Sequence, residues 1–326
     1  DEINVDNALV KNINANVSGG NEDTKYYFGI ASFTQDGNLL TQDYERQNVR
    51  LNLTQKLSDS FKLTTGISLT DETTRIIQGD NNIFGILSTA MLERPGRDIY
   101  NEDGSFNSYT NFSFSNPVQN AIENFDQGKT FRILGNANLE YKVNDELRFN
   151  TTFGFDQLNF RQRSYYPSTT SLGAPNGSAD QRERTDRKFT ALAAGNYNKS
   201  FDNWRLRVFL GAEYEQNKLN FIRAAGNGFI SPSLTWLASA ANPSTATALF
   251  SDSRRVSFIS RVGATIYEDL ILEGSLRYDG SSRFNEDQRW GLFPAASLGY
   301  IISNNDWFKN NFVSYFKVSG SWGITG

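Results

Sequence analysis

In residues 130–155, TFRILGNANLEYKVNDELRFNTTFGF, apolar and polar side chains alternate with a period of two. One set of alternate residues, from Phe131 to Val143, is apolar or small. The set between them is mostly polar and includes Arg132 and Glu140. Successive side chains of a β-strand point to opposite faces, so the pattern predicts a strand with one apolar face and one polar face.

The same alternation continues after a tight hairpin at Asn144-Asp145 and runs on to Phe155. It recurs in other parts of the chain, most clearly at residues 61–70, 204–215, 256–266 and 270–278. The sequence predicts about twelve strands, most of them roughly 10–15 residues long, against the 5–6 residues typical of globular proteins. Strands of this length and number are unusual for a soluble β-sandwich.

The connections between these strands are predicted to alternate strictly between short and long. The short ones are residues 19–23, 57–60, 144–145, 202–203, 268–269 and a slightly longer one at 304–311. The long ones are residues 35–42, 73–129, 162–185, 218–251 and 280–288. This parity is typical of an up-and-down antiparallel arrangement, with the short turns at one end and the long loops at the other.

Two settings fit the alternation: a soluble barrel with its apolar face inside, or a transmembrane barrel with its apolar face in lipid. The polar face carries too many charges for a dry core, because burying an unpaired charge costs several kcal/mol. Strand length, parity and long loops at one end favour the transmembrane β-barrel. Aromatic residues near strand ends suit belts at the membrane interfaces, namely Tyr26, Tyr141, Trp204, Tyr278 and Trp322.

Composition excludes several classes of function. A net charge of −4 and an isoelectric point near 5.2 argue against nucleic-acid binding. The chain has no Cys and no His, which removes disulfides, thiolate metal sites and the commonest general base. We therefore expect no metal, no cofactor and no catalytic residues. No run approaches the 18 apolar residues that a transmembrane helix needs.

Three blocks of sequence resemble the SusC-like branch of TonB-dependent outer-membrane transporters. The first is residues 17–52, VSGGNEDTKYYFGIASFTQDGNLLTQDYERQNVRLN, and the second is residues 90–106, AMLERPGRDIYNEDGSF. The third spans residues 261–326 and contains RYDGSSRF, RWGLFPAASLGYIIS and KVSGSWGITG. The third block is the most specific of the three.

The resemblance implies an all-β chain that supplies about half of a 22-stranded barrel, which is the size of outer-membrane transporter barrels. Residues 1–326 would then be a partial barrel domain, with the plug domain and the final strands outside this chain. Because lipid does not tolerate open sheet edges, we expect the native polypeptide to be longer. By the same resemblance, the long loops are extracellular and the short turns are periplasmic.

The function implied by the resemblance is nutrient import across the outer membrane. A SusD-like surface lipoprotein would cover the barrel mouth, and the TonB complex would act through a region that precedes this chain. The expected substrate is an oligosaccharide, and the alternatives are a peptide importer or a passive, structural barrel. A soluble carbohydrate-active or carbohydrate-binding β-protein is the remaining possibility.

Two groups of candidate site residues follow. Aromatic residues in the long loops could stack on sugar rings or contact the lipoprotein, and these are Tyr109, Phe112, Tyr165, Tyr166, Phe229 and Trp236. Charged residues on the polar face would line the lumen, where they would bind the plug, neighbouring carboxylates or an anionic substrate. These are Arg132, Arg148, Arg205, Arg207 and Arg277.

Two local predictions complete the analysis. In DGSSRF, residues 279–284, Gly280 is predicted to form the turn, and Asp279 is predicted to pair with Arg283 or Arg289. The alternative is that this stretch contacts a lid or ligand at the extracellular rim. Residues 82–93 have apolar side chains at helical spacing, which predicts a short helix that packs on the loop or plug.

Overall fold

The computed structural model describes residues 2–78, 82–94, 96–107, 115–308 and 312–325. Twelve strands form one antiparallel sheet, and each strand pairs with its neighbours in chain order. The all-β prediction and the number of strands are confirmed. The strands are β1 (Val10–Gly20), β2 (Thr24–Asp36), β3 (Asp43–Lys56), β4 (Phe61–Arg75), β5 (Phe125–Lys142), β6 (Leu147–Tyr166), β7 (Ser178–Ser200), β8 (Trp204–Asn227), β9 (Asn242–Ile266), β10 (Leu270–Ser281), β11 (Trp290–Ile301) and β12 (Lys317–Gly323).

The sheet has two faces of opposite character, and the strand register keeps each face continuous. Leu51 lies opposite Phe28 of β2 and Ile67 of β4. The same matching continues to β11, where Leu298 lies opposite Leu272. We call this side the apolar face and the opposite side the polar face. A shift of one residue in any pairing would exchange the two faces, so the alternation itself fixes the register.

The sheet is open, because within the described residues β1 pairs only with β2 and β12 pairs only with β11. Its up-and-down strand order is that of a partial barrel. Each outer strand therefore presents a row of unpaired backbone N–H and C=O groups on one side.

The connections lie at two ends, which we call the short-turn end and the long-loop end. At the short-turn end, residues 21–23, 57–60, 143–146, 201–203 and 267–269 connect strands. The sixth connection at this end, residues 302–316, is longer than residues 37–42 or 282–289 at the long-loop end. The predicted strict alternation is therefore wrong at the last strand pair. That connection contains two short 3-10 turns, and Phe308 stacks on Phe316 with ring centroids 5.4 Å apart.

The four central strands, β6 to β9, are 20, 23, 24 and 25 residues long and exceed the prediction. Residues 162–185 and 218–251 were predicted as connections, but the actual connections are residues 167–177 and 228–241. The prediction failed because apolar and polar side chains are mixed on both faces of these strands toward the long-loop end. Backbone pairing continues there, although the alternation in hydropathy does not.

The long connection between β4 and β5 carries two helices, α1 (Ile86–Leu92) and α2 (Pro117–Glu123). Ile86 and Val118 pack with Ile3 and Ala121 in a small apolar cluster, which we call the loop core. The predicted helix at residues 82–93 is thus confirmed in its central part, and it packs on the loop. Neither helix, nor any other in the described residues, is long and apolar enough to cross a membrane.

Candidate functional site: the polar face and its cleft

Aromatic residues on the apolar face form two belts. In β5, β8 and β11 the belt residues are ten positions apart, at Phe131 and Tyr141, Trp204 and Tyr214, and Trp290 and Tyr300. Ten positions span about 33 Å along a strand at about 3.3 Å per residue. A strand tilt of about 40° reduces this to about 25 Å along the barrel axis, which matches the apolar band of outer-membrane barrels.

The belts account for most of the aromatic residues predicted at strand ends. Tyr26, Tyr141 and Trp204 lie at the short-turn end, and Tyr278 lies at the long-loop end, where its ring stacks on Trp290 at 4.7 Å. Trp322 is the exception. It lies opposite Ala296, halfway along β11, so it belongs to neither belt.

The structure places all five predicted lumen arginines on the polar face. Arg132 donates two hydrogen bonds to Asp156, at 2.9 and 2.6 Å. Arg277 donates to Asp279 at 2.8 Å and lies 3.8 Å from a carboxylate oxygen of Glu213. The remaining three have no ion pair within the described part of the chain, namely Arg148, Arg205 and Arg207.

The DGSSRF prediction is corrected by these contacts. Asp279 accepts from Arg277, its neighbour on the same face of β10, and not from Arg283 or Arg289. Gly280 is a strand residue opposite Trp290, and the turn consists of residues 282–289. The charged residues of this motif therefore divide between the polar face and the loop.

A cleft of about 600 Å³ opens on the polar face at the long-loop end. On one side, Gln78 donates to the Tyr166 hydroxyl at 2.7 Å, and that hydroxyl donates to Asp126 at 3.2 Å. Gln162 donates to the other carboxylate oxygen of Asp126 at 2.8 Å. These four side chains form one hydrogen-bonded chain along the cleft.

The other side of the cleft holds a carboxylate between two guanidinium groups. Asp180 accepts from Arg182 at 2.8 Å and from Arg223 at 2.6 Å, one bond on each oxygen. Both hydrogen bonds are charge-assisted, so they hold the two arginine side chains in place. Together with Asp126, the cleft holds two acids and two bases, and its charges balance.

Burial shapes the chemistry of the cleft. Asp126 is only 5% exposed, and its carboxylate is satisfied by Tyr166 and Gln162. Burial, with a further contribution from the charge of Asp126, raises the pKa of the Tyr166 phenol. The phenol therefore remains a hydrogen-bond donor at every physiological pH. Within the described residues, no cluster of three or more acidic side chains could hold a metal ion.

The predicted loop aromatics are divided between the two faces of the sheet. Tyr166 lies in the cleft, whereas Tyr165 is on the opposite face, 3% exposed, with its ring edge-on to Phe229 at 5.0 Å. Trp236 is 62% exposed, and the Arg163 guanidinium lies 3.8 Å from its ring centroid. Tyr109 and Phe112 lie outside the described residues. Contact of these aromatics with a ligand or lid stays a prediction.

Sequence reasoning missed the polar residues that line the cleft with Tyr166, because they lie in segments predicted as connections. These missed residues are Gln78, Asp126, Gln162, Asp180, Arg182 and Arg223. One signal could have found part of the set. Every second residue from Asp180 to Lys188 is charged, which indicates a strand that continues with one strongly charged face.

Comparisons with known proteins agree with this architecture, although no family model matches the sequence. TonB-dependent receptor P3 of Formosa agariphila is 27% identical over 328 residues, which cover 97% of this chain and 33% of that protein. TonB-dependent receptor SusC of Bacteroides thetaiotaomicron is 25% identical over 339 residues, which cover 95% of this chain and 33% of that protein.

Among solved structures, the RagAB peptide importer in its open-open state has the same fold, with a TM-score of 0.82 at 20% identity. The match covers 97% of this chain and 36% of that chain. The chain thus spans about a third of the length of the relatives it matches. In sequence the chain is similar to TonB-dependent receptors, SusC among them, and in fold it is similar to part of the β-barrel of an outer-membrane transporter.

Proposed function

We propose that this chain forms part of the wall of an importer that takes up oligosaccharides across the outer membrane. The observation that carries the proposal is the polar cleft around Tyr166, which lies on the face turned away from lipid. A transported solute has to pass along that face, and the cleft lies at the end with the longer loops. We assign the long-loop end to the cell exterior and the short turns to the periplasm.

The groups in the cleft suit an oligosaccharide. Sugar hydroxyls both donate and accept hydrogen bonds, and the cleft offers the amides of Gln78 and Gln162 beside the Asp126 carboxylate. Asp180 and its two arginines add further acceptors and donors. No step of this function requires catalysis, and we propose none.

The proposed partners follow from the similarity to SusC. A SusD-like lipoprotein would cover the long-loop end, and the TonB complex would supply the energy for import. The loop core gives that end a packed surface, since Thr41 of the β2–β3 connection donates to the Ala121 carbonyl of α2 at 2.7 Å. A folded surface can support a stable interface better than mobile loops can.

Peptide uptake is the second candidate. The cleft carries two carboxylates and two guanidinium groups, which could pair with the charged termini and side chains of a peptide. The RagAB importer, which shares the fold, is described as a peptide importer. The same site could thus serve either substrate class, and the bound molecule has to be identified directly.

The test is native mass spectrometry of the full-length protein, extracted from its own outer membrane in mild detergent. We expect a co-purifying lipoprotein and a bound oligosaccharide. Bound peptide would move the proposal to the second candidate. Uptake that continues after the TonB gene is deleted would indicate a passive barrel. Extraction without detergent would contradict the membrane assignment.

A further inference from the structure

The apolar face becomes basic just beyond the aromatic belt of the long-loop end. Toward the long-loop end, Arg187 of β7 lies two positions beyond Phe189, and Arg254 of β9 lies two positions beyond Val256, which is opposite Tyr214. On β8, Lys218 lies four positions beyond Tyr214. We call Arg187, Lys218 and Arg254, together with Asp252, the basic patch.

Contacts within the basic patch leave it with excess positive charge. Asp252 accepts from Arg254 at 3.1 Å, and Lys218 Nζ lies 3.9 Å from the same carboxylate oxygen. Gln216 also donates to both oxygens of Asp252, at 2.9 and 3.1 Å. Two cations thus pair with one carboxylate, and Arg187 adds a third positive charge, which gives the basic patch a net charge of +2.

Arg187 and Lys218 are directly opposite each other in the β7–β8 register. Like charges in that position destabilise a sheet. Within the described residues Arg187 has no ion pair, and its side chain is exposed. An external anion between the two cations would remove this repulsion.

The position of the basic patch indicates which kind of anion would bind there. Its side chains point outward, away from the cleft, so a transported solute does not meet them. They lie at the level where the hydrocarbon band ends and lipid head groups begin. Basic side chains at such a level attract anionic head groups, and guanidinium groups pair with phosphate in a bidentate manner.

We propose that the basic patch binds the phosphate groups of an anionic glycolipid of the lipid A type in the outer leaflet. This inference rests on the proposed function, because it requires the long-loop end to face the cell exterior. A neighbouring ion pair shows why the site is assigned to the basic patch and not to other outward-facing arginines. Arg161 also points outward, but Glu183 lies 3.1 Å from it, so that pair needs no external anion.

The first arm of the test uses the wild-type, full-length protein after removal of its native lipid. Native mass spectrometry would follow the retention of lipid A and of lipid A from which the phosphates have been removed. We expect retention of the phosphorylated form only. Equal retention of both forms would overturn the inference, as would displacement of lipid A by inorganic phosphate alone, which would indicate a soluble-anion site.

The second arm compares two triple variants that remove the same charge at opposite ends. Arg187→Gln/Lys218→Gln/Arg254→Gln alters the basic patch, and Lys56→Gln/Lys142→Gln/Lys199→Gln alters the short-turn end. Each cation beside an anionic surface contributes about fivefold in affinity, so the patch variant should retain lipid A on the order of a hundredfold more weakly. The short-turn variant should retain it like the wild type, and an equal loss in both would overturn the inference.

Two outcomes separate this inference from the proposed function. Detergent-free extraction of the wild-type protein would contradict the proposed function itself. A membrane-embedded importer with bound substrate but no preference for phosphorylated lipid A would contradict only the inference. The patch variant does not fold if it loses the heat-dependent gel mobility of a barrel. In that case the inference is tested by the first arm alone, which compares the two forms of lipid A on the wild-type protein.

Discussion

Tyr165 and Tyr166 are consecutive residues of β6 with opposite surroundings. The Tyr166 hydroxyl lies between Gln78 and Asp126 in the cleft. The Tyr165 hydroxyl makes only a 3.5 Å contact with the Pro232 carbonyl, on the other face. A period of two places neighbouring side chains on opposite faces, so the two residues offer a matched pair for testing the cleft.

Tyr166→Phe should weaken substrate retention by about tenfold or more, since a hydrogen bond to a charged group contributes about 1.5–3 kcal/mol. Tyr165→Phe should leave retention unchanged. Retention is measured on the full-length protein with the molecule that co-purifies with it. If Tyr165→Phe had the larger effect, the aromatic group around Phe229 and Trp236, rather than the cleft, would be the binding site.

Gly280 and Gly274 form a second matched pair, both on the apolar face of β10. A methyl group at Gly280 would come within 2.7 Å of the Trp290 ring, whereas a methyl group at Gly274 would meet no atom within 4 Å. Gly280 is thus covered by the indole, which also stacks on Tyr278 at 4.7 Å.

We expect Gly280→Ala to displace the indole and to lower the free energy of unfolding by about 1 kcal/mol, through lost aromatic stacking and overpacking. Gly274→Ala should change it by less than about 0.5 kcal/mol, as for a surface substitution. Denaturant unfolding in detergent, followed by tryptophan fluorescence, measures both. An unchanged emission maximum in Gly280→Ala would contradict the proposed packing.

At the residue scale, sequence was sufficient for some side chains and not for others. Alternation alone predicts the side of the sheet on which Arg132 and Arg277 lie, and the register places both on the polar face. The partner of Asp279 could not be predicted, because Arg277, Arg283 and Arg289 are all within reach along the chain. Which arginine pairs with it depends on where the strand ends, and that is decided by long-range pairing.

The alternation in hydropathy identifies the strands inside the apolar band but not their extensions beyond it. Inside the apolar band, one face of each strand meets lipid, so alternation identified the strands. Beyond the band both faces meet water, and β7 runs on from Arg187 to Ser178 without an apolar stripe. Backbone pairing with β6 and β8 holds that segment together, and pairing leaves little trace in a single sequence.

This difference in environment can be measured on one strand. Leu210 and Ile222 both lie on the apolar face of β8 and are 59% and 57% exposed in the isolated chain. Leu210 lies between the two belts, whereas Ile222 lies eight positions beyond Tyr214. The two residues thus have equal exposure but different expected solvents, lipid for one and water for the other.

Leu210→Arg should destabilise the barrel by about 2–4 kcal/mol, as arginine does at the bilayer midplane, and Ile222→Arg by about 0–1 kcal/mol. Unfolding of the full-length protein in lipid vesicles, followed by heat-dependent gel mobility, measures the difference. Equal destabilisation by the two substitutions would show that the belts do not mark the edges of the membrane.

The stability of the whole molecule depends on the open sheet and on the position of the buried apolar cluster. The sheet encloses no dry core of its own, and the loop core of Ile3, Ile86, Val118 and Ala121 is the buried apolar cluster of the described residues. The stability of the strands therefore depends on lipid on one face and on closure with further strands at β1 and β12. The fold class could be predicted from the sequence because every strand repeats the same environment.

The orientation of the whole barrel can be tested with two exposed acids at opposite ends. Asp59 in a short turn and Glu286 in a long-loop connection have side chains that are 97% and 90% exposed. The chain contains no cysteine, so each engineered thiol is the only one that it contributes. On intact cells, a maleimide that cannot cross the membrane should label Glu286→Cys and not Asp59→Cys, because we assign the long-loop end to the cell exterior. Both variants should be labelled after the cells are broken. Labelling of Asp59→Cys alone on intact cells would reverse the assigned orientation, and with it the leaflet to which the basic patch is assigned.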